Sequence, residues 1–280
     1  MMKVGIVAIA KDEEQYLAEW LNYHSLLGFD RFYVYDNSAN NRLMTFATDS
    51  VKIIYYPGQT KQVQAYNDFI QNFSNEVDYV IALDIDEFLV IHNGLSLVDF
   101  ITTYLKSTGV CINWRFFGSN GHKYFTDSPV LDRFTMRQPD FDHNVKTLVK
   151  TECLLRYSNP HCPDLLTVGQ VTDLFGNPIN LNEPLSNSDT TSIAQINHYF
   201  CKSWQEFNWK INRGRATTVT ERRSTDDFIW SNRNDVTDLS AIQIRDKKIN
   251  HKNVPTDSLQ NSVRHKKISI SADSSDNAGS

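Results

Sequence analysis

Residues Tyr79 to Val90 read YVIALDIDEFLV, an apolar run that ends in Asp84, Asp86 and Glu87. The stretch Tyr79–Leu83, with β-branched Val80 and Ile81, suits a strand buried on both faces of a sheet. Unpaired carboxylates are too costly to bury inside such a strand. They belong just past its C-terminal edge, where open α/β sheets bind their ligands. Alternation along the strand sends Asp84 and Asp86 the same way and turns Ile85 back into the protein. Two like charges on one face repel unless a cation sits between them, which makes an oxygen-ligand site for Mg²⁺ or Mn²⁺ beside a phosphate-bearing substrate. The plainer alternative is that these acids cap a strand, orient a turn or pair with Arg and Lys from elsewhere.

The segments on either side alternate strand and helix patterns. Lys3–Ala10 is β-rich and apolar. Asp12 then caps a helix with Gln15 at the reciprocal position, and Leu17, Trp20, Leu21, His24 and Leu27 recur at helical spacing up to a stop at Gly28. Arg31–Tyr35 and Val51–Tyr56 read as strands, Gln62–Phe73 as a helix with one apolar face, and Tyr79–Ile85 as the fourth strand. This order implies an α/β protein with a mostly parallel central sheet flanked by helices. Further on, Leu97–Leu105 predicts a helix, and Val110–Phe117, Val145–Lys150, Cys153–Tyr157 and Ile193–Phe200 predict strands. Ser203-Trp204-Gln205-Glu206 is a capping box that opens a helix running to Arg213 and stopped by Gly214. Residues 1–250 are expected to form one domain, with a nucleotide-binding half over 1–90 and an acceptor-side half over 91–250. Residues 251–280 are rich in Ser, Asn and Asp and predict a poorly ordered polar tail. Its Arg264-His265-Lys266-Lys267 patch offers a peripheral contact to an anionic membrane, against the plainer reading of a solvated tail.

A net charge of −5 argues against a nucleic-acid partner, which would call for a basic footprint. No stretch is long and apolar enough to span a bilayer, and nothing resembles a signal peptide, so the expected location is cytoplasmic, with the inner membrane face as a variant of it. Cys111, Cys153, Cys162 and Cys201 lack C-x-x-C spacing. Free buried thiols are therefore expected, ahead of a zinc site built from His161-Cys162 and His198 with Cys201.

Several segments then fall into register: Lys11-Asp12-Glu13, Glu19-Trp20-Leu21-x-Tyr23-His24, Tyr35-Asp36-Asn37-Ser38 and Asp84-Ile85-Asp86-Glu87-Phe88. They are followed by Trp114-Arg115-Phe116-Phe117-Gly118-Ser119-Asn120-Gly121, His198-Tyr199-x-x-Lys202-Ser203 and Lys210-x-x-Arg213-Gly214. As an ordered set these resemble the glycosyltransferases related to family 2 and family 92, from about residue 3 to about residue 240. One departure is Asp12, where those enzymes usually carry Asn; the two residues cap helices about equally. Residues 125–142 match only loosely.

The resemblance implies a GT-A fold that binds a nucleotide-diphosphate sugar at the C-terminal edge of its sheet. It implies that Asp36 faces the nucleoside and that Asp84 lies near the ribose or the metal. Asp86 would ligate Mn²⁺ or Mg²⁺ on the diphosphate, and His198 would be a further metal or diphosphate contact. Lys210 and Arg213, three residues apart on one helix face, would neutralise phosphate. The plainer readings are a satisfied strand histidine for His198 and, for Lys210 and Arg213, charges that complement a helix C-terminus. An inverting enzyme needs a carboxylate base for the acceptor hydroxyl, and Glu87, Asp127, Asp132, Asp140 and Asp142 are the open candidates. Trp114 is either a stacking platform for an acceptor sugar or a core residue. The implied function is metal-dependent, hexosyltransferase-type transfer from a nucleotide sugar to a glycan or glycolipid, in surface polysaccharide or lipopolysaccharide biosynthesis. A catalytically silent nucleotide- or carbohydrate-binding module on the same fold is the alternative. A dehalogenase-type phosphatase would carry its Asp-x-Asp after the first strand, and a sugar nucleotidyltransferase would need a Gly-rich loop where Ala10-Lys11-Asp12-Glu13 stands.

Overall fold

The computed structural model describes residues 1–166, 170–216, 218 and 222–253. Its first third follows the alternation read from the sequence: β1 (Val4–Ala10), α1 (Glu14–Leu27), β2 (Arg31–Asp36), β3 (Val51–Tyr55), α2 (Gln62–Asn72) and β4 (Tyr79–Ala82). β1 pairs in parallel with both β2 and β4, and β2 with β3. Period-two alternation divides the core between the two faces of this sheet. Ile6, Ala8 and Ala10 face Leu17, Trp20 and Leu21 of α1, whereas Val7 and Ile9 join Ala65, Tyr66 and Phe69 of α2.

The second part is β5 (Glu87–Ile91), α3 (Leu97–Tyr104), β6 (Gly109–Phe116), α4 (Val130–Arg133), β7 (Met136–Arg137) and β8 (Asp142–Lys150). Then come β9 (Leu154–Tyr157), β10 (Pro163–Leu165), β11 (Val171–Thr172), β12 (Ala194–His198), α5 (Trp204–Arg213), α6 (Thr225–Ser231), β13 (Val236–Thr237) and α7 (Ser240–Asn253). The main sheet runs β3-β2-β1-β4-β8-β6-β12-β5, with β11 on β6. It is mostly parallel, but β8 and β5 are antiparallel to their neighbours. The α/β class with a flanked, mostly parallel sheet holds. The polar tail and its basic patch lie outside the described residues, apart from the end of α7.

Two local expectations are corrected. The fourth strand does not run on to Ile85: it stops at Ala82, and Asp84–Glu87 form a turn closed by the Glu87 N–H donating to the Asp84 carbonyl at 3.0 Å. The chain then reverses into β5, which pairs with β12 from Glu87↔His198 to Ile91↔Ala194. Nor does Asp12 cap α1. It sits at φ 52°, its backbone N–H donates to the Ser38 hydroxyl, and the N-cap position falls on Glu13, whose side chain makes no cap bond. The α1 stop at Gly28 (φ 119°) and the Ser203–Glu206 capping box of α5 are as expected. Gly118 is required by close approach, since a Cβ there would lie 2.3 Å from the Arg233 carbonyl oxygen.

α1 ties the β5 crossing to the sheet. Trp20 Nε1 donates to the Glu87 carbonyl, and Tyr23 Oη to the Leu89 carbonyl. His24 Nδ1 lies 2.9 Å from the Trp20 carbonyl and Nε2 accepts the Leu89 N–H at 3.3 Å, which fixes a neutral tautomer. Protonation would place a hydrogen where Leu89 already donates, and burial pushes His24 down to about 3, from 6.5. Between those values the unfolded chain binds a proton that the folded chain refuses. Stability is therefore fully present above pH 6.5 and falls on acidification, by up to about 1.4 kcal/mol per pH unit from this one group. His24→Gln should make the urea midpoint less steep on the acid side by about one proton's worth. A slope identical to the parent's would remove His24 from the acid response.

Candidate active site

The C-terminal ends of β1, β4, β6 and β12 open into a cleft of about 210 Å³. Its lining carries six cations, Lys11, Lys146, Lys210, Arg213, Arg215 and Arg223, against three carboxylates, Glu13, Asp84 and Asp86. A local excess of three positive charges in a chain of net −5 marks a site built for an anion. A second hollow of about 360 Å³ shares Glu13, Phe200, Lys210 and Arg213 with it and adds Tyr16, Lys202 and Trp209.

The turn after β4 splits its carboxylates between two partners. Asp84 accepts from Gln62 Nε2 at 2.7 Å and from Lys146 Nζ at 3.2 Å. Lys146, buried in β8, also reaches Glu87 at 3.2 Å, and Glu87 Oε2 accepts the Asp84 N–H at 2.9 Å. Burial opposes the Lys146 charge, but Asp84 and Glu87 outweigh it and raise its pKa. Glu87 is fully buried, and burial together with its carboxylate neighbours pushes its pKa well up, against the pull of Lys146. A carboxyl sealed from the cleft cannot reach a substrate proton. Glu87 instead braces the turn.

Asp86 faces the other way. Its Oδ2 accepts from Lys210 Nζ at 2.5 Å, with Lys202 Nζ at 3.9 Å, and Oδ1 faces His198 Nε2 at 3.6 Å. Burial disfavours the Asp86 charge, but Lys210, Lys202 and His198 hold it well below the usual carboxylate range. Lys210 is pushed down to about 8, by burial first and then by crowding from Arg223, Lys202 and Arg213 despite Asp86. Burial also lowers His198, against the pull of Asp86, and its Nδ1 has no partner. At 3.6 Å, Asp86 Oδ1 and His198 Nε2 are too far apart for a hydrogen bond. Two ligands of one Mg²⁺ or Mn²⁺ with bonds near 2.1 Å lie about 3 Å apart at right angles and about 4 Å in line. The observed 3.6 Å falls between those separations, so Asp86 and His198 would have to shift by about half an ångström to hold one cation together. Asp84, engaged by Gln62 and Lys146, is not directed to the same point. Among the described residues no three His, Cys, Asp or Glu side chains converge, so substrate oxygens and water would complete the sphere.

Arg213 closes the cleft from α5: it donates to Glu13 Oε1 at 2.7 Å and to the Lys11 carbonyl at 2.9 Å, while Lys11 Nζ donates to the Arg213 carbonyl. Trp114 is both wall and core, lining the cleft at 8% exposure with its ring 4.4 Å from His198 and 5.1 Å from His161. Asp36 does not line the cleft. It is fully buried, and its two oxygens accept the backbone N–H groups of Ser38 and Leu43, so it shapes the loop that carries Asn37. The remaining base candidates lie elsewhere. Asp127 and Asp140 are exposed outside the lining, Asp132 pairs with Arg245 at 2.9 Å, and Asp142 bonds Asn144 at the start of β8. The pattern reading missed Lys146, although a lone lysine inside the apolar NVKTLV strand already demanded a buried carboxylate partner. His161 was considered only for zinc, yet it lines the cleft. All four cysteines are free.

Residues 6–239 match the model of glycosyltransferase family 92. The chain belongs to that family. A family 92 protein of Ricinus communis is 24% identical over 226 residues, 77% of this chain and 38% of that protein. One of Arabidopsis thaliana is 24% identical over 228 residues, 75% of this chain and 37% of that protein. The chain thus spans under two fifths of the length of these plant relatives. Among solved structures, HddC from Yersinia pseudotuberculosis superposes with a TM-score of 0.38 at 11% identity, over 64% of this chain and 94% of that one, too loosely to bear on the site. No described helix of this family member is long and apolar enough to cross a membrane.

The placement of Asp36 carries a prediction about stability. Asp36→Ala deletes two charge-assisted acceptors of backbone N–H groups, each worth roughly 1.5–3 kcal/mol. Urea unfolding should show a loss of about 3 kcal/mol or more. A variant as stable as the parent would return Asp36 to ligand contact.

Proposed function

We propose that this chain is a metal-dependent, inverting glycosyltransferase of GT-A type that moves a hexose from a nucleotide-diphosphate sugar to a hydroxyl of a glycan or glycolipid. The observation that supports it best is the cationic surplus of the cleft at the C-terminal edge of the sheet, which suits the diphosphate of such a donor. Breaking the bond between the anomeric carbon and the diphosphate leaves negative charge on phosphate oxygen. A divalent cation held by Asp86 and His198 would act on that oxygen as a Lewis acid. Lys210, Arg213 and Arg223 line the same cleft, where low dielectric strengthens their pull on the leaving group. Lys146 and Gln62 hold the Asp84 carboxylate in place, and its remaining lone pairs can accept further hydrogen bonds, for instance from ribose hydroxyls. The nucleoside then extends towards Ile9, Asn37 and Gln62.

The test is a panel of UDP- and GDP-sugars with Mn²⁺ or Mg²⁺, read as release of nucleotide and as shift in unfolding temperature. Turnover with one donor supports transfer. Stabilisation without turnover would favour a silent binding module, and neither response would sink both readings. Calorimetry separates the ligands. Asp86→Ala and His198→Ala should each weaken Mn²⁺-supported nucleotide binding at least about tenfold, by analogy with the loss of a single metal contact. Asp84→Asn should leave the Mn²⁺ dependence in place while weakening the nucleotide itself. Equal Mn²⁺ dependence in the parent and in Asp86→Ala would overturn the metal assignment.

A further inference from the structure

We infer that His161 is the general base of this site, its Nε2 taking the proton from the acceptor hydroxyl. The inference rests on the transferase reading above. The carboxylates named from the sequence do not supply a base: Asp127, Asp132, Asp140 and Asp142 lie outside the lining, and Glu87 is sealed from it. The carboxylates that do line the cleft are each paired with a cation, Glu13 with Arg213, Asp84 with Lys146 and Asp86 with Lys210. His198 turns Nε2 towards Asp86 and buries Nδ1. Among the described lining residues, that leaves His161 as the titratable side chain whose free lone pair is neither paired with a cation nor sealed from the cleft.

Its geometry suits the task. Nδ1 lies 3.1 Å from the Val145 carbonyl, which can only accept, so Nδ1 carries the hydrogen and Nε2 is the acceptor. Burial, and then the Lys146 ammonium, push His161 down to about 4, which keeps the ring neutral. The backbone is pinned at both ends: the His161 N–H donates to Asn159 Oδ1 at 2.9 Å, and Thr147 Oγ1 donates to the His161 carbonyl at 3.0 Å. Trp114 stands between the two histidines of the cleft, so His161 is one indole away from the Asp86–His198 end where the leaving group departs. As the acceptor oxygen bonds to the anomeric carbon, its proton passes to Nε2. The bond from that carbon to the diphosphate oxygen breaks, and its electron pair stays on the diphosphate. The imidazolium then returns its proton to water.

The test uses hydrolysis, with water as the acceptor, on whichever of UDP-glucose, UDP-galactose, UDP-N-acetylglucosamine and GDP-mannose the full chain turns over. His161→Gln and His161→Ala should lower kcat by roughly 10²- to 10⁴-fold. Donor KM and the calorimetric affinity for UDP or GDP should stay within about threefold, which shows that the variants are folded. Added imidazole should restore part of the rate in His161→Ala and leave the parent unchanged. A kcat within about tenfold of the parent, or a loss of nucleotide affinity as large as the loss of rate, overturns the role of His161 and leaves the transferase reading standing. A parent that binds and hydrolyses none of the four donors overturns both.

Discussion

Everything at the sheet edge depends on the pairing of Asp86 with Lys210, which joins the β4–β5 turn to α5 across 124 residues. Both groups are buried, and the desolvation of such a pair consumes much of its Coulombic gain. Net stability is therefore not its main contribution. What the pair does is hold an ammonium in a low-dielectric cleft, beside Lys202, Arg213 and Arg223, with Asp86 as the carboxylate that Lys210 itself contacts. Burial and then these neighbouring cations lower the pKa of Lys210, and an incoming anion would relieve that repulsion. The strain is local, and it makes the site selective for negative charge.

The reversal after Ala82 makes this arrangement possible. Had the strand continued through Ile85, Asp84 and Asp86 would project side by side and repel. The turn separates them, Asp84 towards α2 and β8 and Asp86 towards β12 and α5, while Ile85 anchors in the core between them. β5 then runs back along β12, which delivers His198 opposite Glu87 and starts the chain towards α5. Trp20, Tyr23 and His24 of α1 hydrogen-bond the backbone of β5, so the first helix fixes the position of a turn some sixty residues later.

Local physics made much of this readable in the sequence. Apolar alternation marked β1 to β3, helical spacing marked α1 and α2, and Gly28, Gly214 and the Ser203–Glu206 box marked helix ends, because each depends on neighbours within a few residues. Asp84, Asp86, His198, Lys210 and Arg213 were readable as a set only through the order of the motifs, and the structure brings all five into one cleft. The rest was hidden where distant partners decide. The break after Ala82 falls inside an unbroken apolar pattern, so periodicity alone cannot see it. Asp36 looks like a ligand residue in Tyr35-Asp36-Asn37-Ser38, yet the N–H groups of Ser38 and Leu43 claim it. Asp12 lost its capping role to a contact with Ser38, 26 residues away. His161 offered no motif beyond its neighbour Cys162, so nothing local in the sequence marked it as a lining residue of the cleft.

The charge balance of the cleft also bears on which state it binds best. A nucleotide-diphosphate sugar gains one negative charge on its diphosphate when the sugar departs. A site with a fixed surplus of positive charge binds the state with more negative charge more tightly, so its stabilisation grows as the bond breaks. Uniform binding of the donor would lower KM without raising kcat, whereas this gradient acts on the barrier itself. On the same proposal, the gradient would hold the nucleotide product more strongly than the donor. On the proposed transferase reading, a cleft built in this way would gain its rate at the chemical step and shift the slow step towards product release.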